Sequence, residues 1–211
     1  GSWTKTDPLL KKWNNSRKEI NDINKEVIFS SFIIPSEELT LHNQKGKNIH
    51  ALILNNTSFL PGSGDGAEKL FDCNSEYNTK NIHECLEDNS LCIAAHPFAP
   101  IPFFQRLLVK RGSWGPRDIE HANLSGLQIV NGEMDLGFYN GINKWVELLL
   151  DGMSKYIYAG NDAHGNFNIF RQVAIPMLTL NEKKKQIFGK FRTGIFAKKN
   201  GDIESAIVAL K

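Results

Sequence analysis

The chain is organised around the stretch Tyr158-Ala159-Gly160-Asn161-Asp162-Ala163-His164-Gly165. The apolar residues 156–159 that lead into it predict a short buried strand. Asp162 and His164 lie two positions apart, so in an extended backbone both side chains leave the same face. A carboxylate and an imidazole on one face at a strand's end form half of a site for a divalent cation. For this motif alone, a capped turn carrying a surface histidine is the alternative.

Along the rest of the chain, short apolar runs alternate with segments whose apolar residues recur at helical spacing. The predicted strands span residues 27–34, 48–54, 91–95, 126–132, 156–159, 173–180 and 188–198. The predicted helices span residues 7–25, 79–88, 103–110, 140–153 and 203–210. This alternation is typical of an α/β protein with a largely parallel sheet.

Further metal-binding side chains fall at the ends of these predicted strands. Glu38 comes just past one strand and His96 ends another, while His50 lies mid-strand but can point the same way. Side chains at the carboxyl ends of parallel strands converge on one face, where barrels of this class keep their chemistry. Because gathered carboxylates and imidazoles repel and are costly to desolvate, a bound cation is the expected partner. The predicted ligands are Glu38, His50, His96, Asp162 and His164.

Composition indicates an ordinary globular chain. The 211 residues suit one domain with a sizeable core, and 41% of them are hydrophobic and 23% charged. The net charge of +2 indicates no particular partner. No apolar run has the length of a membrane span, and no signal peptide is recognised. Three cysteines without a Cys-x-x-Cys pattern favour reduced thiols and a cytoplasmic location.

Charge is unevenly distributed along the chain. Residues 181–211 carry eight Lys or Arg against three Asp or Glu. This excess makes a nucleic-acid-binding protein one alternative, because lysines and arginines track phosphate backbones. The solvent face of a strand pair is the more common explanation of such charge. The side chains concerned are Lys183, Lys184, Lys185, Lys190, Arg192, Lys198 and Lys199.

Four segments together resemble the PHP family, the polymerase-and-histidinol-phosphatase type of metal-dependent phosphoesterases. They are Pro35-Ser36-Glu37-Glu38-Leu39-Thr40, Asn48-Ile49-His50-Ala51-Leu52, Ala94-Ala95-His96-Pro97 and Gly160-Asn161-Asp162-Ala163-His164-Gly165. The resemblance implies a distorted (β/α)7 TIM-like barrel holding two or three divalent metal ions, such as zinc, manganese or iron. It implies that Glu38 bridges metals, that His50 and His96 are ligands, and that Asp162 and His164 close the site. Segment 191–194 and the final helix also resemble the end of one branch of the family.

The chain departs from the family pattern at its start. The family opens with a His-x-His and then an Asp-His pair, whereas the first histidine here is His42. We therefore expect a trimmed single domain lacking its first strand or strands. It would comprise a tag remnant at residues 1–2, a helical lead-in over 1–25, a metal-site core over 26–165 and C-terminal strands and helix over 166–211. We expect it to bind one or two ions at most. A scaffold that keeps the fold without the chemistry is the alternative.

The resemblance implies hydrolysis of a phosphate ester, with a small molecule as the substrate. Asp162 is the expected catalytic residue because its carboxylate can bind a metal and also orient the attacking water. Arg171 is the candidate for binding the phosphate, with a plain surface arginine as its alternative. We expect His42, His83 and His121 to face solvent.

Overall fold

A computed structural model describes residues 9–26, 31–61, 75–163, 171–175, 178–180, 189–197 and 202–211. Its helices are α1 (Lys11–Lys25), α2 (Phe103–Leu108), α3 (Pro116–His121), α4 (Leu136–Leu150) and α5 (Ile203–Leu210). Its strands are β1 (Ser36–His42), β2 (Asn48–Leu54), β3 (Tyr77–Asn78), β4 (Leu91–Ala94), β5 (Gly126–Asn131), β6 (Tyr156–Gly160), β7 (Arg171–Ile175) and β8 (Leu178–Leu180).

Six of these strands form one sheet in the order β3-β1-β2-β4-β5-β6. Strand β2 runs antiparallel to both of its neighbours, and the other pairings are parallel. Five strands therefore share one direction, and β2 alone opposes them. Helices α2 and α3 connect β4 to β5, and α4 connects β5 to β6, as parallel neighbours require. The predicted α/β class is confirmed. Within the described residues the sheet is open, with β3 and β6 at its edges.

One face of the sheet carries the hydrophobic core. Leu39 and Leu41 of β1 pair with Ala51 and Ile49 of β2, and all four side chains are buried. Because side chains alternate along a strand, the intervening residues of β1 and β2 project from the opposite face. That opposite face carries the polar residues of the candidate site.

The first strand lies later in the chain than predicted. Residues 31–35 form no strand, residues 27–30 fall outside the described ranges, and β1 begins at Ser36. The Asn24 side chain holds the backbone of Ile33 instead, since its oxygen accepts from the Ile33 N–H at 2.7 Å and its amide donates to the Ile33 carbonyl at 2.8 Å. Glu38 is therefore the third residue of a strand, and the prediction that it follows one is wrong.

The predicted helix over 79–88 is also wrong, because only one 3-10 turn, Ile82–Cys85, forms there. Local side-chain bonds compete with the helix: the Asn81 side-chain oxygen accepts from the Asn78 N–H at 2.8 Å, and the Asn78 oxygen accepts from the Lys80 N–H at 2.9 Å.

The predicted strand over 188–198 contains no strand within its described residues, 189–197. This segment runs beside β6 but is held by side chains. The Thr193 hydroxyl accepts from the Ala159 N–H at 2.9 Å, and the Asn161 side chain bonds both backbone groups of Phe191. Without a continuous backbone ladder, the segment is not a strand.

Other boundaries differ locally. The predicted strand over 173–180 is an antiparallel pair, β7 and β8. Helix α1 starts at Lys11 rather than residue 7. Helix α4 starts at Leu136, because the Asp135 carboxylate caps it. Helix α3 lies where no helix is predicted, and it begins at Pro116 with Gly115 as its N-cap.

None of the helices in the described ranges combines the length and the apolar character needed to cross a membrane.

Candidate metal centre

The pairing of β1 with β2 brings Glu38 and His50 together. Thr40 lies directly opposite His50, and Glu38 lies two residues earlier on the same face of β1. Such diagonal neighbours are within reach of long side chains. The Glu38 carboxylate oxygen Oε1 lies 2.6 Å from His50 Nδ1, a hydrogen-bond distance. His50 is buried, while the Glu38 side chain keeps about 33% of its surface exposed.

His96 joins this pair from the end of β4. The Ala95 N–H donates to the His50 carbonyl at 3.0 Å, which fixes the backbone one residue before His96. His96 Nε2 lies 3.3 Å from Glu38 Oε1. The two imidazole rings are 5.6 Å apart at their centroids and inclined by 67°. Glu38 Oε1 therefore accepts from both rings.

The backbone of His96 is strained. Its φ of 33° lies in the left-handed region, which costs a residue with a side chain roughly 1 kcal/mol or more. The following residue is Pro97, which restricts this backbone further. Strain of this kind persists where the surroundings fix the residue, and it clusters at functional sites.

Glu38, His50 and His96 have the composition of a metal site, and we call them the histidine–glutamate cluster. Each offers one ligand atom, and these atoms all lie within 4.8 Å of one another. Two nitrogens and one oxygen match the three protein ligands of catalytic zinc, whose remaining position is left for water. Imidazole and carboxylate ligands also suit iron and manganese. The residues therefore fit a divalent cation.

The carboxylate of the cluster is held in its charged form. Burial raises the pKa of Glu38, but the hydrogen bonds from His50 and His96, with their electrostatic attraction, outweigh it and hold this pKa well below its usual value. A negative charge is therefore available to a cation at neutral pH.

Arg111 also contacts the cluster, and nothing in the sequence analysis singled it out. Its Nη1 contacts His50 Nε2 and lies 3.0 Å from Nδ1. Its Nη2 lies 3.4 Å and 3.5 Å from the two ring nitrogens of His96. Because each of these guanidinium nitrogens is close to both nitrogens of one ring, the guanidinium lies against the two imidazole rings. One positive charge thus lies beside the two rings that Glu38 orients.

Hydrogen bonds hold the backbone around Arg111 against β2, close to His50. The Asn48 N–H donates to the Lys110 carbonyl at 2.9 Å, and the Gly112 N–H donates to the Asn48 carbonyl at 2.8 Å. Trp114 Nε1 donates to the His50 carbonyl at 3.1 Å. A side chain at Gly112 would meet Lys47 at 2.4 Å, which explains the glycine.

Of the remaining predicted site residues, Asp162 and Arg171 lie within the described ranges. Asp162 follows β6 with a φ of 48°, and its Oδ2 lies 3.4 Å from Asn131 Nδ2. It follows the carboxyl end of β6, as His96 follows that of the parallel strand β4, but it is not in the histidine–glutamate cluster. His164 lies outside the described residues. Arg171 begins β7, and its side chain is not described.

The predicted surface histidines divide into two groups. His83 and His121 are exposed, as expected. The prediction for His42 is wrong, because it ends β1 rather than lying in a turn, and it is only partly exposed. Its Nε2 accepts from the Ser75 N–H at 3.1 Å.

Most of the basic C-terminal side chains, including residues 183–185, lie outside the described ranges. Of those described, Lys190 lies 5.5 Å from the ring of Phe191, and Arg192 donates to the Gly189 carbonyl.

A cavity of about 270 Å³ adjoins Glu38 on the side of α1. Trp13 and Phe59 contact edge to face in its wall, and Arg17 lies over the Trp13 ring at 4.6 Å. Glu37 also lines it, and burial raises the pKa of that carboxyl.

Comparisons of the chain with protein-family models, with curated proteins and with solved structures find no match.

Proposed function

We propose that this protein is a metal-dependent hydrolase that cleaves phosphate esters, in the manner of the PHP family that the sequence resembles. The observation that carries the proposal is the histidine–glutamate cluster, with its ligand atoms within 4.8 Å of one another. Structural packing alone seldom gathers a charged carboxylate and two imidazoles, because their desolvation is costly. The strained backbone of His96 adds support, since strain is retained where a residue has a function.

The residues of the histidine–glutamate cluster have separate roles in this proposal. His50 and His96 present imidazole nitrogens, and Glu38 supplies the negative charge that balances a cation. Bound divalent metals in such enzymes lower the pKa of water and polarise phosphoryl oxygens. The guanidinium of Arg111 adds positive charge beside the ligands, which suits an anionic substrate better than a neutral one.

We further propose that the open sheet is part of a distorted (β/α)7 barrel. Three adjacent parallel strands joined through helices support this, as does the position of His96 and Asp162 directly after β4 and β6. In this proposal Asp162 and His164 are additional ligands, Asp162 orients the attacking water, and Arg171 contacts the phosphate. In this proposal the site of this chain holds one or two divalent ions.

The test is a rate assay on p-nitrophenyl phosphate with added manganese or zinc, before and after treatment with a chelator. His50→Ala removes a buried ligand, and His83→Ala removes an exposed histidine as the matched control. We expect metal-dependent hydrolysis that His50→Ala abolishes and His83→Ala preserves. If the metal-loaded protein hydrolyses no phosphate ester, a scaffold role replaces the catalytic one.

A further inference from the structure

Arg111 contacts the same two imidazole rings, of His50 and His96, that would bind a metal ion. We infer that Arg111 and the divalent cation are alternative partners of His50 and His96, and that the displaced guanidinium becomes the oxyanion-binding group of the site. This inference rests on the proposed metal site. It adds to that site a residue, Arg111, and an exchange between this residue and the metal, neither of which the sequence resemblance supplies.

The first step is the competition for the space beside the imidazole nitrogens. In neutral His50, Nδ1 donates to Glu38 Oε1 at 2.6 Å, so Nε2 carries the lone pair that a metal ion would need. Arg111 Nη1 lies against this ring, closer to Nε2 than to Nδ1. Against His96, Arg111 Nη2 is nearly equidistant from both ring nitrogens, so it too rests on the ring. Of the two rings, the guanidinium contacts that of His50 more closely.

The second step is electrostatic. A guanidinium within 3.5 Å of both imidazoles would lie only a few ångströms from any ion that they bind. Like charges at such separations repel by at least about 1 kcal/mol even in water, and more strongly in a partly buried site. The side chain must therefore leave the rings when a cation binds.

The third step is the tether. The backbone of residues 110–112 is bonded to Asn48 on both sides, and the Arg111 N–H donates to the Gln105 carbonyl at 3.1 Å. Asn48 Nδ2 also donates to the Val109 carbonyl at 2.9 Å. Because this backbone is held in place, a released guanidinium stays within one side-chain length of the cluster.

The ligand class follows from guanidinium chemistry. A released guanidinium presents a planar fork of donors that matches two oxygens of a phosphate or carboxylate. Phosphate that pairs with Arg111 holds it away from the rings and so favours the metal. By reciprocity, the metal favours phosphate to the same degree. The two ligands should bind cooperatively, with Arg111 as the coupling residue.

The experiment measures manganese affinity by titration calorimetry for the parental protein, Arg111→Gln, Arg111→Lys and Arg106→Gln. Arg106 is an exposed arginine of α2, so its variant removes an equal charge without touching the imidazoles. We expect Arg111→Gln to bind manganese about tenfold or more tightly, as removal of a like charge a few ångströms from the ion predicts. Arg111→Lys keeps the charge without the fork and should lie between. Arg106→Gln should match the parental protein.

The second measurement repeats the titrations with inorganic phosphate. Parental affinity for manganese should rise, whereas Arg111→Gln should show no rise, which also corrects for manganese bound by phosphate in solution. Equal or weaker manganese binding by Arg111→Gln would overturn the competition and leave the metal site standing. Tighter binding with an undiminished phosphate effect would overturn the oxyanion role. Absence of binding in every variant would overturn the proposed metal site itself, and the inference with it.

Discussion

Glu38 and His50 lie on adjacent antiparallel strands as diagonal neighbours, and Glu38 Oε1 is 2.6 Å from His50 Nδ1. His96 reaches the same oxygen from a third strand. One carboxylate oxygen thus orients two imidazoles, as the hydrogen-bonded partners of metal-binding histidines commonly do.

The neighbouring carboxylate, Glu37, predicts a pH-dependent stability. Burial raises its pKa above the usual 4.5, so the folded protein binds this proton more tightly than the unfolded chain does. The resulting stability is present below pH 4.5 and is lost as pH rises through the folded pKa. Glu37→Gln should therefore unfold at a higher temperature than the parental protein at pH 7, with the advantage shrinking towards pH 4. A constant or inverted difference across thermal melts at both pH values would oppose this.

The backbone of His96 predicts an unusual order of stability. Because its φ is 33°, glycine should be tolerated better than alanine, by about 1 kcal/mol. His83, which has no such strain, is the comparison site, and there His83→Ala should be more stable than His83→Gly by about 0.5 kcal/mol or more. Urea unfolding of the four variants measures both differences. The same order at both sites would contradict the strained conformation.

The cysteines predict selective labelling. Burial raises the pKa of Cys92 to about 12, while Cys85 is exposed. Since the thiolate is the reactive form, iodoacetamide at pH 8 should label Cys85 and spare Cys92 until denaturant is added. Peptide mass spectrometry distinguishes the two sites. Equal labelling of both in the native protein would show that the core around β4 is open.

Sequence patterns located part of the site because its members belong to short local motifs. His96 follows an apolar run that forms strand β4. His50 is a polar residue within an apolar strand, and Glu38 is a carboxylate close to the end of a predicted strand. These signals are local, so they survive the errors in strand boundaries.

Arg111 could not be found in the same way. It lies 61 residues from His50, and only the backbone bridge to Asn48 brings it to the imidazoles. Nothing in the surrounding loop marks such a bridge. Glu38 was misplaced for a related reason, because the apolar residues before Pro35 look like a strand while the pairing with β2 selects residues 36–42.

Asp162 predicts a specific loss of activity. If it orients the attacking water, Asp162→Asn should lower metal-dependent phosphatase activity by about a hundredfold or more. The fold should be preserved, because the Asp162 carboxylate lies outside the hydrophobic core. It contacts the Asn131 side-chain amide at the carboxyl ends of the strands. His121→Ala, at an exposed position, is the control. Parental rates for Asp162→Asn, or an equal loss for the control, would remove Asp162 from the proposed chemistry.

The most direct measurement is manganese or zinc affinity, by titration calorimetry, of Glu38→Gln compared with Glu37→Gln. The two substitutions remove the same charge at adjacent positions of β1, but only Glu38 contacts His50 and His96. We predict that Glu38→Gln weakens metal binding by about tenfold to a hundredfold or more, since loss of a residue that only orients metal ligands already costs that much and Glu38 is itself a proposed ligand. Glu37→Gln should bind as the parental protein does. Parental affinity in Glu38→Gln, or an equal loss in Glu37→Gln, would contradict a metal site at this cluster.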